Sequence, residues 1–128
     1  MNLSRSATLA MLSLLALVVL AGCATTAAPG KPTPVSDADA TISSGSMSFD
    51  ATTLDVPAGR PFTLLYVNRT PMPHNVAIYS DASASNSLFV GEVIGEQSIT
   101  YEVPAMPAGE YYFHCDLHPE MNGTVVSR

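Results

Sequence analysis

Residues 44–128 predict an all-β domain, an antiparallel sandwich or barrel of about seven to eight strands. Three observations carry this. Short runs of β-branched and aromatic residues recur between Pro/Gly turns, several runs alternate apolar and polar positions, and no stretch keeps a helical period. An antiparallel sandwich has this texture, because each strand shows one face to the core and one to water.

Taken in order, "SMSFD" (46–50) and "TTLDV" (52–56) are the first predicted strands, and "PAGR" sets them off from the next run. "PFTLLYVN" (61–68) is strongly apolar and is predicted to be central. In "HNVAIYS" (74–80), alternation puts Asn75, Ala77 and Tyr79 on one face and His74, Val76 and Ile78 on the other. "SLFVGEV" (87–93), "QSITYEV" (97–103) and "EYYFHC" (110–115) follow, and "GTVVS" (123–127) closes the chain. No internal repeat is present in the sequence. A domain of this length buries only about 60–65 % of its unfolded surface, so its stability margin is thin.

The chain of 128 residues has one-domain length, and its first part reads as address rather than domain. Arg5 supplies a positive start, and "ATLAMLSLLALVVL" (7–20) is apolar, uncharged and short of the roughly 20 residues a spanning helix needs. Residues 1–22 are therefore predicted to be an export signal. The stretch ends in "LAGC" (20–23), which resembles a bacterial lipobox. That resemblance implies cleavage before Cys23, lipidation of Cys23 and an extracytoplasmic protein (periplasmic or at the cell surface) anchored to the membrane. Residues 23–43, rich in Ala, Thr, Pro, Ser and Asp, are expected to be a disordered tether.

With Cys23 lipidated, Cys115 has no disulfide partner, since the chain has two cysteines. An unoccupied thiol is a liability in an oxidising compartment, and a bound metal removes it. The formal net charge of −6 argues against nucleic acid or anionic lipid as the main partner, and suits a basic patch on a protein.

The densest chemistry is "FHCDLHPEM" (113–121). Alternation along 110–115 puts Cys115 on the face of Tyr111 and Phe113, and sends His114 outward with Tyr112. His118 follows in a loop that can turn it back toward Cys115, Pro119 keeps that loop from coiling into a helical turn, and Met121 begins the return. Asn122-Gly123 is turn chemistry. The remaining histidine, His74, stands after "TPMP" and can complete the set. A thiolate, two imidazoles and a thioether suit copper better than zinc, which gains little from a neutral thioether.

"MPHNV" (72–76) and "YYFHCDLHPEMNGTVV" (111–126) together resemble the cupredoxins, and within them the amicyanin-like branch, through the His-Asn pair and the short C-x2-H-x2-M spacing. The resemblance covers about residues 44–128. It implies a Greek-key β-sandwich holding one type 1 (blue) copper, with His74, Cys115 and His118 equatorial and Met121 axial. Asn75 would tie the His74 strand to the Cys115 loop. Met72, Pro73, Pro119 and Met106 would form an apolar docking surface around the His118 edge. The implied activity is single-electron transfer between protein redox partners, by a monomer and not an enzyme. The alternative is storage of Cu(I) and its delivery to a larger copper enzyme. No nucleophile–base pair stands out, and His114 is too few to build a second copper centre.

Overall fold

The computed structural model describes residues 37–128, and the expected signal, Cys23 and most of the expected tether lie outside them. Nine strands are found among the described residues: β1 (Ala40–Gly45), β2 (Ser48–Phe49), β3 (Thr53–Val56), β4 (Phe62–Asn68), β5 (Ala77–Tyr79), β6 (Ser87–Val90), β7 (Gln97–Val103), β8 (Gly109–Cys115) and β9 (His118–Ser127). They form two facing sheets, ordered β2-β1-β4-β7 and β3-β9-β8-β5-β6. This is the expected Greek-key β-sandwich, with one difference. β1 pairs parallel with β4, and β3 parallel with β9, so both sheets are mixed rather than antiparallel. Period-2 patterning is the same for either direction, which is why the sequence does not separate them.

The domain begins earlier than residue 44. β1 starts at Ala40, and Ile42 is fully buried. "ATISS" reads as tether because Ile42 is its one large apolar residue, but pairing along β4 recruits the whole segment. The core lies between the sheets and gathers Ile42, Leu54, Phe62, Leu64, Tyr66, Val76, Ile78, Phe113 and Val125. β4 alternates without interruption, with Phe62, Leu64, Tyr66 and Asn68 inward, as its central position requires.

Two features set the two ends of the sandwich. The β8–β9 hairpin pairs Gly109 with Ser127 at one end and Cys115 with His118 at the other, joined there by a two-residue turn at Asp116–Leu117. Asn122-Gly123 is therefore no turn but lies inside β9. Gly123 is needed for closeness instead: a Cβ there would come 2.4 Å from the Thr52 carbonyl oxygen and 2.7 Å from the Phe113 ring. Met106 lies at the end remote from Cys115. It is buried in the core, and its carbonyl accepts from Gly59 N (2.8 Å) and Ser127 Oγ (3.4 Å). It cannot belong to a surface around His118. Its neighbours "PAMPAG" sit next to the Cys115 strand in sequence, but seven strand residues carry Cys115 to the opposite end.

Candidate metal centre

Three loops meet at the Cys115 end. His74 precedes β5 and is held by a two-way backbone bridge with Ile94, N to O at 3.0 Å and O to N at 2.9 Å. Asn68, at the end of β4, donates through Nδ2 to the carbonyls of Met72 (2.7 Å) and Ile94 (2.8 Å), fixing the proline-flanked approach to His74. The β8–β9 turn supplies Cys115 and His118. A register shift between His114 and Cys115 sets the end of the hairpin, where Cys115 is fully buried.

Three of the expected residues, His74, Cys115 and His118, converge. His74 Nδ1 lies 3.0 Å from His118 Nδ1, and Cys115 Sγ lies 3.7 Å from the first and 3.8 Å from the second. A triangle with these sides has its centre about 2 Å from each corner, the length of a bond from a metal to nitrogen or sulfur. His74, Cys115 and Met121 are buried, whereas His118 keeps part of its surface in solvent. Burial first, and the neighbouring His118 second, push the His74 pKa down, against a smaller opposing pull from the Ser46 backbone. His74 is thus held neutral, the form in which imidazole binds a metal. Its Nδ1 is the nitrogen that faces Cys115 Sγ and His118 Nδ1, and its Nε2 is buried without a well-formed hydrogen bond. The soft nitrogen–sulfur donor set fits one copper ion.

Asn75 sits where expected. Its Oδ1 accepts from the Asp116 backbone N–H (2.9 Å), and its Nδ2 donates to Asp116 Oδ2 (2.8 Å) and to the Gly91 carbonyl (3.0 Å). Gly91 has to be glycine, because a Cβ there would meet the Tyr101 ring at 2.6 Å and the Val76 carbonyl at 2.8 Å. Met72, Pro73 and Pro119 are exposed, and so are Leu117 and Val93, while His118 is partly exposed.

His114 departs from expectation. It points to the outer face of its sheet but is 8 % exposed, not a free surface side chain. Tyr79 and Tyr112 pack edge-on against its ring, with centroids at 4.7 and 5.4 Å, and its Nε2 lies 3.1 Å from Asp116 Oδ1. Sequence alternation correctly separates it from Cys115 but says nothing of what covers an outer face. Two residues escaped the sequence reading. One is Asp116, and its place between the Cys and His of C-x2-H is the available signal. Asn68 had one too, a polar residue ending an otherwise apolar run.

A β-sandwich with a buried thiol, two converging imidazoles and a thioether at one end defines a small single-copper protein. A family model described as "Cupredoxin-like domain" matches residues 12–127, and the chain belongs to that family. It is 31 % identical over 101 residues to amicyanin of Paracoccus denitrificans, a match covering 72 % of this chain and 67 % of that protein. It is 32 % identical over 89 residues to a chloroplastic plastocyanin of Chlamydomonas reinhardtii, covering 63 % of this chain and 60 % of that one. Among solved structures, auracyanin from Roseiflexus castenholzii superposes with a TM-score of 0.61 at 21 % identity, covering 69 % of this chain and 94 % of that one, a likeness of fold. Amicyanin from Paracoccus versutus gives 0.58 at 29 % identity, covering 73 % and 84 %. A reduced Cu(I) form of an amicyanin mutant at pH 4 gives 0.57 at 28 %, covering 73 % and 86 %.

Proposed function

We propose that this protein is a blue copper electron carrier. His74, Cys115 and His118 are its equatorial ligands and Met121 the axial one, and the carrier moves single electrons between redox proteins outside the cytoplasm. The observation that carries this reading is the triangle of Nδ1, Nδ1 and Sγ atoms, with sides of 3.0, 3.7 and 3.8 Å, buried except at His118. Copper supplies a one-electron couple when bound. The chain's part is to hold the donors so that neither oxidation state requires the site to rearrange, to keep water from Cys115, and to present one imidazole edge to a partner. His118 is that edge, and the exposed Met72, Pro73 and Pro119 would give it an apolar rim for docking. Lipidation at Cys23 would keep the carrier close to membrane partners, as a monomer on a tether. Copper storage and delivery is less well served by this site, because three of the four donors are buried and rapid exchange calls for open ones.

The test is optical. Copper-loaded, oxidised protein should show intense visible absorption from thiolate-to-copper charge transfer and accept one electron per copper. Cys115→Ser should lose that band while keeping its far-UV spectrum. A colourless oxidised copper complex would sink the proposal.

A further inference from the structure

We propose that Asp116 is a positioning residue of the site: an anion clamped beside Cys115 that ties the His74 segment to the Cys115 hairpin and biases the centre toward its oxidised form. This rests on the copper reading above. Asp116 opens the two-residue turn after Cys115, and its carboxylate accepts three hydrogen bonds from two separate parts of the sheet. Oδ2 takes Asn75 Nδ2 at 2.8 Å, and Oδ1 takes the Tyr79 hydroxyl at 2.5 Å and His114 Nε2 at 3.1 Å. The Asp116 backbone N–H returns a bond to Asn75 Oδ1 at 2.9 Å, so the Asn75–Asp116 contact is two-pronged. Tyr79 belongs to β5 and His114 to β8, neighbouring strands that bring both donors to the outer face. The two tyrosines that cover His114 hold its ring in place.

This arrangement does more than close a loop. A carboxylate accepting several hydrogen bonds is stabilised as the anion. Three side-chain donors, from Asn75, Tyr79 and His114, converge on the carboxylate, so the anion is held by geometry on the residue next to the sulfur donor. Reduction of Cu(II) to Cu(I) adds one electron, supplied by a redox partner, and needs no proton. A fixed negative charge on the residue next to Cys115 opposes that addition by Coulomb repulsion, softened because the Asp116 side chain is 31 % exposed. The predicted direction is a lowered reduction potential.

Two variants separate charge from geometry. Asp116→Asn removes the charge and keeps the shape, and Tyr79→Phe removes a hydrogen bond and keeps the charge. Redox titration of the copper-loaded proteins should show Asp116→Asn shifted toward Cu(I) by roughly tenfold, which is 59 mV for one electron. Tyr79→Phe should leave the potential unchanged or slightly lower. If Asn packs badly, Asp116→Ser serves the same comparison. A merely structural Asp116 would make both variants move the potential in the same direction, and that result, or no shift in Asp116→Asn, overturns the inference. A metal-free readout stands beside it. The hydrogen bond to Asp116 first, and burial second, push the Tyr79 phenol up to about 12. Spectrophotometric titration of apo Asp116→Asn should bring one phenol down from there, and an unchanged titration would show that the clamp is not formed. Wild-type protein that takes up no copper overturns the copper reading itself, an outcome distinct from an unmoved potential.

Discussion

Asn68 joins three segments of the chain at the Cys115 end of the sandwich. Besides donating to Met72 and Ile94, its Oδ1 accepts from Ser44 Oγ (3.2 Å), Thr70 N (3.0 Å) and Thr70 Oγ1 (3.1 Å). It is 2 % exposed, so water cannot replace the amide. Asn68→Ala would leave the Met72 carbonyl without this donor and take one of two donors from the Ile94 carbonyl, which keeps the His74 N–H. An unsatisfied buried group costs about 1–3 kcal/mol, and a loss of that order in urea unfolding of the metal-free protein is expected. Because His74 hangs on Ile94 through backbone bonds, the variant should also hold copper less tightly than wild type. Unchanged unfolding would show that the amide is not a structural hub. Cys115 differs in kind: its replacement by Ser removes a donor but little volume, so its loss should be read in the spectrum and hardly in the stability of the metal-free protein.

Among the elements, the β1–β2 hairpin carries a carboxylate that links it to pH. Asp50 accepts from both the backbone N–H (2.8 Å) and the hydroxyl (2.5 Å) of Ser43, while its own N–H donates to the Ser43 carbonyl (2.9 Å). Partial burial raises its pKa, but the Ser43 bonds outweigh that and lower it below 3.8. A depressed folded-state pKa means the unfolded chain binds the proton more tightly. The stabilisation is therefore complete well above 3.8 and is lost as pH falls through the lower folded value. Thermal melts from pH 6 down to roughly pH 3 should show a shallower acid-side decline for Asp50→Asn than for wild type. Identical slopes would remove Asp50 from the account. β8 and β9 show the other side of element-scale design. Their hairpin is held by pairing from Gly109–Ser127 to Cys115–His118, so the two donors at its tip are placed by the strands themselves and not by a free loop.

At the scale of the molecule, the thin margin of a small domain makes the metal part of its stability. The described domain has no disulfide, and its free thiol is Cys115. A ligand that binds only the folded state adds about 2.7 kcal/mol at a hundred times its dissociation constant. Each kcal/mol moves the melting point of a domain this size by about 4–8 °C. Copper should therefore raise the melting temperature by about 10–20 °C, and removal by a chelator should reverse the rise. Cys115→Ser should lose most of it. Equal melting with and without copper would mean that the site is not occupied in the folded state.

Local pattern alone yields the all-β class, most of the strand runs from 61 onward and the choice of His74, Cys115 and His118, which the structure brings together. All of these are local: alternation is read from neighbours, and donor chemistry belongs to side-chain type. Even its limits were local, since Asn122-Gly123 has turn composition but becomes strand when Phe113 and Thr52 press against it. Tertiary structure decided what depends on distant partners. It drew Ala40–Gly45 into a sheet through parallel pairing with β4, and it brought His74 within 3.7 Å of a sulfur 41 residues away. It sent Met106 to the far end, covered His114 with two tyrosines, and brought three side-chain donors to the Asp116 carboxylate. Strand pairing is chosen by the packing of whole faces against one another, and no window of neighbouring residues contains that information.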